Sequence, residues 1–149
     1  MHSSIFLLIL LISGLFSAPV NQESAEQVAR NLFIERGPVT EFNIRTIQAV
    51  SDGDMDLYFI FHLNPIGFII VSADDRSVPI LGYGFENDYL IEGQPTNIKY
   101  LMNSFESDIK NAIDNNSRQI ESVRQKWLNY QSGNIERLRD RSVTPLLQA

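Results

Sequence analysis

Phe68-Ile69-Ile70-Val71 is the stretch that most restricts what this chain can become. It is an aromatic and β-branched run bounded by Gly67 and by the polar stretch Ser72–Ser77, and so reads as a buried strand rather than part of a helix. Asp74, Asp75 and Arg76 then reverse the chain, and Pro79 restarts it in an extended conformation. Ile80-Leu81-Gly82-Tyr83 supplies a further short strand. Gly82 and Gly84 lower its strand propensity and point to a bulge or a close backbone approach.

The segments on either side extend this into a sheet. Ile44, Thr46 and Gln48 alternate with Arg45, Ile47 and Ala49 in a first strand, and Asp52-Gly53-Asp54 is a hairpin turn. Leu57 to Leu63 is apolar on both faces, which places it centrally or under cover on both sides. Asn64-Pro65-Ile66-Gly67 turns the chain into the Phe68 strand. Short turns between successive strands imply an antiparallel meander of about four strands. The polar connection Glu86–Pro95 holds Tyr89, Leu90 and Ile91, which suit a short edge strand.

Helices flank the meander. Ser24 is placed to cap a first helix whose Ala25, Val28, Ala29, Leu32 and Phe33 share one face, and Gly37-Pro38 stops it. A long amphipathic helix opens near Asn97. Ile98, Leu101, Met102, Phe105, Ile109, Ala112 and Ile113 line one side of it, with Glu106 and Lys110 at ion-pair spacing. Asn115-Asn116-Ser117 breaks this helix. Another carries Ile120, Val123, Trp127 and Tyr130 up to Gly133, with Trp127 read as core. The expected class is therefore α+β, an antiparallel sheet packed with a long amphipathic helix and flanking helices.

Ile5–Ile12 is an unbroken apolar run, too short to span a bilayer and of the length of a secretory leader. We read residues 1–18 as a signal peptide and expect an exported chain, periplasmic or secreted, with no membrane contact once the leader is gone. Residues 19–149 then form one domain with a core over about 24–130 and an extended tail at 141–149; about 130 residues suffice for one modest core.

The side-chain inventory excludes most chemistry. Cysteine is absent, which removes disulfides, zinc-thiolate sites and a thiol nucleophile. Only His2 and His62 exist, His2 lies in the leader, and His62 reads as a packed or surface imidazole. Asp52, Asp54 and Asp56 resemble the start of a calcium loop, but Leu63 stands where that loop needs Glu, so a solvated hairpin is the better reading. Asp74 and Asp75 take turn and cap roles. Asn115-Asn116-Ser117 meets the glycosylation consensus without further support. A formal charge of −6 argues against nucleic acid, and Arg137, Arg139 and Arg141, interrupted by Glu136 and Asp140, read as a solvated helix face. No catalytic, cofactor or metal residue is assigned, and no enzyme is expected.

Gly67-Phe68, Ile70-Val71-Ser72, Asp74, Arg76, Pro79-Ile80-Leu81-Gly82-Tyr83 and Asn97-Ile98 together resemble the propeptide of streptopain-type, papain-like cysteine peptidases and the stand-alone Spi-type inhibitors built on the same module. The resemblance covers roughly Ser24 to Ile113. It implies a bacterial module that folds against a papain-fold peptidase and blocks its cleft, with the loop Gly93–Ile98 approaching the active site and Asn97 meeting it. Pro95, Thr96, Ile98 and Tyr83 are the accompanying contact residues. For Asn97 a helix-capping role stands beside the inhibitory one, and Thr96 is an alternative cap.

Val143, Pro145, Leu146 and Leu147 resemble the segment that leads into the mature enzyme in the family; with the junction geometry kept, Pro145–Ala149 is expected to lie along the enzyme's substrate cleft. A dedicated inhibitor, a decayed or truncated pro-enzyme and a boundary imposed on a longer chain are the three explanations; the leader at Met1 favours an independent gene product, which leaves the first two open. A secreted peptide- or surface-binding module with no protease partner is the competing class.

Overall fold

The computed structural model describes residues 18–38 and 40–133. Residues 1–17 of the expected 1–18 leader, the Arg137–Arg141 run and the tail at 141–149 lie outside the described residues. The elements follow in the order α1 (Gln22–Arg36), β1 (Ile44–Asp52), β2 (Met55–Leu63), β3 (Phe68–Ser72), β4 (Ile80–Gly84), α2 (Thr96–Asp114) and α3 (Glu121–Ser132).

The strands form an antiparallel sheet in the order β1-β2-β3-β4, the expected meander, so the fold class is α+β. β2 is buried without interruption from Leu57 to Leu63, because both faces of the sheet are covered. On one face Phe59, Phe61, Leu63, Ile69 and Val71 pack under α1 and α3. On the other, Tyr58, Ile60, Ile70 and Leu81 pack under Met102 and Ile109 of α2. Trp127 is buried at 3 % exposure and its Nε1–H donates to the Ser77 carbonyl at 2.8 Å, as a core tryptophan requires.

Local signals act as the sequence suggests in most places. Gly53 takes a left-handed φ in the hairpin. In β4 the register steps from Ile70↔Gly82 to Val71↔Ile80, which leaves Leu81 as the extra residue of a bulge. Gly84 marks the close approach: a Cβ there would stand 2.8 Å from the Phe68 ring. Gly37 ends α1, and Gly133, left-handed, ends α3.

Four expectations are corrected. Ser24 does not cap α1. The cap is Asn21, whose side chain accepts the Ser24 N–H at 2.8 Å, and the helix starts earlier to take in Gln22 and Glu23. Tyr89-Leu90-Ile91 is not a strand; Tyr89 instead packs against Phe68 in a tilted contact with ring centres 5.2 Å apart. Glu106 and Lys110 do not pair with each other, since both find partners on the sheet: Glu106 accepts from Tyr58 and Lys110 binds Asp52. Leu101 does not join the core of α2 but stays 45 % exposed.

Candidate functional site

The connection from β4 to α2 is anchored to the sheet before it reaches the helix. Asp88 Oδ1 accepts from Arg45 Nη2 at 2.9 Å and from the Gly67 N–H at 3.4 Å, and this cationic company holds the Asp88 carboxyl below its ordinary range. A turn follows, with Gly93 at a φ of +71° and the Gln94 side chain donating to the Leu90 carbonyl at 2.6 Å. Pro95 then becomes the cap residue. Its φ of −55° leads the chain into the helix, and its carbonyl accepts from both Ile98 and Lys99 at 3.0 Å.

The start at Pro95 removes both capping roles considered for the polar residues. Thr96 and Asn97 lie inside the first turn, and α2 has no side-chain cap. Thr96 and Asn97 are exposed. Among the described residues no hydrogen bond uses the Asn97 amide, which leaves its donors and acceptor to the solvent side.

Pro95 and Ile98 line an apolar groove of about 310 Å³ between the β4 edge, the 85–95 connection and α2, with Phe68, Leu81, Leu90 and Leu101 among its other walls. Asn97 and Thr96 stand on the same turn as this groove. Tyr83 borders it along the strand, but its side chain belongs to the opposite face: its register partner is Ile69, under α1, its hydroxyl accepts from Arg36 Nη1 at 3.4 Å, and its ring packs on Phe85 at 5.4 Å. Pro95, Thr96, Asn97 and Ile98 therefore act as one group, and Tyr83 stands apart from them across the sheet edge.

The groove's surroundings include residues that sequence reasoning did not assign to the site. Leu90 at 58 %, Ile91 at 60 %, Tyr100 at 78 % and Leu101 at 45 % exposure lie on the connection and the first turns of α2. Tyr100 and Leu101 are three and four residues after Asn97, hence on its side of the helix. The available signal was Tyr100, an aromatic residue off the apolar stripe of its helix. A second, more polar depression of about 610 Å³ lies between β1, β2 and α2, lined by residues including Gln48, Tyr58, Lys99 and Glu106.

None of this surface carries catalytic equipment. His62 is only 8 % exposed, and burial, then Arg45, pulls its pKa down while Asp88 opposes. Among the described residues no group of His, Asp or Glu is placed to hold a metal ion, and no helix is long and apolar enough to cross a membrane.

Comparison with known proteins agrees in kind. The family model described as Spi protease inhibitor matches residues 17–109. Over 125 residues the chain is 26 % identical to the thiol protease/hemagglutinin PrtT of Porphyromonas gingivalis, an alignment that covers 80 % of this chain and 14 % of that much longer protein. No solved structure matches.

Proposed function

The chain belongs to the Spi protease inhibitor family, and from that premise we propose that it inhibits a papain-like cysteine peptidase of the streptopain type by seating the first turn of α2 in the enzyme's cleft. The thiol protease among its relatives supports a cysteine peptidase as the target class. The apolar run at Ile5–Ile12 supports an encounter outside the cytoplasm.

The observation that carries the reading is the Asn97 amide, exposed and without a hydrogen-bond partner among the described residues, on the first turn of a helix fixed to the sheet. In the enzyme's cleft this amide meets the catalytic histidine, satisfying polar groups there while occupying the space of a substrate carbonyl. Pro95, Thr96 and Ile98 flank it, and Tyr83 makes a separate contact at the strand edge. The element resists cleavage because its backbone is already helical, whereas a substrate must lie extended. Preorganisation also lowers the cost of binding, since no loop has to be ordered in the complex.

A titration tests the proposal. The chain is added to a mature streptopain-type peptidase, and release of a chromophore from a small peptide substrate is followed. The rate should fall reversibly as the inhibitor approaches and passes the enzyme concentration. Undiminished hydrolysis at a large molar excess of folded chain defeats it.

A further inference from the structure

The groove beside Asn97 specifies more about the target than its class, and the inference that follows rests on the inhibitory reading above. Its walls are mainly apolar, Asp88 and Gln94 being the polar exceptions, and two of the apolar ones, Leu90 and Leu101, are about half exposed in the absence of a partner. Apolar surface left in water next to a recognition element marks an interaction site. The volume is informative too. An apolar cavity of about 150 Å³ holds benzene, so about 310 Å³ has room for one aromatic or branched aliphatic side chain together with the backbone that carries it.

Charge adds a second constraint. The connection from Glu86 to Gln94, which supplies Asp88, Tyr89, Leu90 and Gln94 to the groove, contains no basic residue; its other two acidic residues, Glu86 and Glu92, lie off the groove lining, Glu92 on the neighbouring depression beside Lys99. Asp88 is paired with Arg45, whereas Glu86 and Glu92 are exposed and make no ion pair among the described residues. The chain as a whole carries a formal charge of −6. An apolar groove beside a connection that carries two glutamates unpaired among the described residues, in a chain of net negative charge, matches a partner whose apolar projection is flanked by Lys or Arg.

We infer that this groove is a second contact point of the inhibitor, and that it receives a bulky apolar side chain projecting from a basic segment on the rim of the target peptidase's cleft. Leu101 lies one helical turn from Asn97. One rigid helix thus presents the amide to the cleft and the groove to the cleft's wall, and a peptidase lacking the basic, apolar rim segment is inhibited poorly even when its catalytic groups are the same.

The test uses inhibition constants and association rates with a mature streptopain-type peptidase. Leu101→Glu places a charge in the groove at an exposed helical position and so leaves the fold intact. It should raise the inhibition constant at least tenfold, mainly through faster dissociation, with an unchanged melting temperature. Glu86→Lys with Glu92→Lys should slow association severalfold at low salt and flatten its dependence on ionic strength. Wild-type chain that inhibits, with both variants equal to it in these constants, overturns the groove while sparing the inhibitory reading. Wild-type chain that folds and fails to inhibit overturns both. An alanine scan of the peptidase's cleft rim that restores Leu101→Glu to wild-type rank at one apolar position identifies the occupant.

Discussion

Tyr58 of β2 and Glu106 of α2 meet across the buried face of the sheet, the phenol donating to Glu106 Oε1 at 2.8 Å. The Tyr58 residue is 3 % exposed. Together with the Lys110–Asp52 pair, this bond fixes how α2 lies over the strands, and through it where the first turn of the helix points. Burial, then the Glu106 hydrogen bond, push the Tyr58 pKa far above the ordinary tyrosine value.

Replacing Tyr58 by Phe leaves the ring and removes a hydrogen bond to a charged group, which costs about 1.5–3 kcal/mol. The pH dependence has a definite sign. A folded-state pKa raised above the unfolded value of about 10 contributes stability that is full below that pH and declines as the pH climbs toward the folded value. Urea unfolding should therefore show wild-type stability falling above about pH 10. Tyr58→Phe should be less stable at neutral pH and lack this part of the alkaline decline.

His62 has the opposite dependence. Burial in β2 and the nearby Arg45 depress its pKa below the ordinary histidine value, with Asp88 acting against them. The unfolded chain therefore binds a proton that the folded chain refuses, and stability rises with pH across the window between the folded pKa and about 6.5. Lowering the pH from 7 should destabilise the wild type through this group. His62→Gln should flatten that part of the curve, and thermal melts between pH 5 and 7 provide the check.

Asp74 and Arg76 lie within the family signature, and their role is structural. Asp74 is 2 % exposed; its Oδ1 accepts the Arg76 N–H at 2.9 Å and its Oδ2 the Arg76 Nη1 at 3.0 Å. Arg76 Nε also donates to the Ser117 carbonyl at 3.1 Å, which ties the β3–β4 turn to the end of α2. Arg76→Ala strands a buried carboxylate and should cost about 3–5 kcal/mol, more than Asp74→Asn, which keeps the turn. Burial already raises the Asp74 pKa. Loss of the guanidinium raises it further, so the deficit of Arg76→Ala should shrink in acid, where Asp74 takes up a proton. Denaturant melts at pH 4 and pH 7 measure that difference.

The sheet was legible in the sequence because its strands are short, their periods clear and their turns chemically marked. β2 in particular declares its central place by being apolar on both faces. Long-range polar pairing was not legible: Glu106 and Lys110 have the spacing of a local ion pair, and only the approach of Tyr58 and Asp52 diverts them. The exposure of Leu101 was equally hidden. Helical spacing gives the direction of an apolar face but not the width of the sheet beneath it, and α2 opens beside β4, the last strand of the sheet. The family signature and the site also separate. Gly67, at a φ of +116° with its missing Cβ 2.9 Å from the Gly84 carbonyl, holds a turn that other residues strain, whereas the site rests on little more than Asn97-Ile98 and the surface around it.

Asn97→Ala separates inhibition from stability. The side chain is exposed, does not cap α2 and has no hydrogen-bond partner among the described residues, so its removal should change folding stability by no more than about 0.5 kcal/mol. Alanine is also the best helix former, which works in the variant's favour. In the proposed complex the same amide is buried against polar groups of the enzyme, where its loss would leave them unpaired at a cost of about 1–3 kcal/mol. That corresponds to an inhibition constant raised by about 5- to 150-fold. Parallel measurement of melting temperature and inhibition constant decides the matter: weakened inhibition with an unchanged melt places Asn97 at the enzyme, and a lowered melt with unchanged inhibition returns it to the helix.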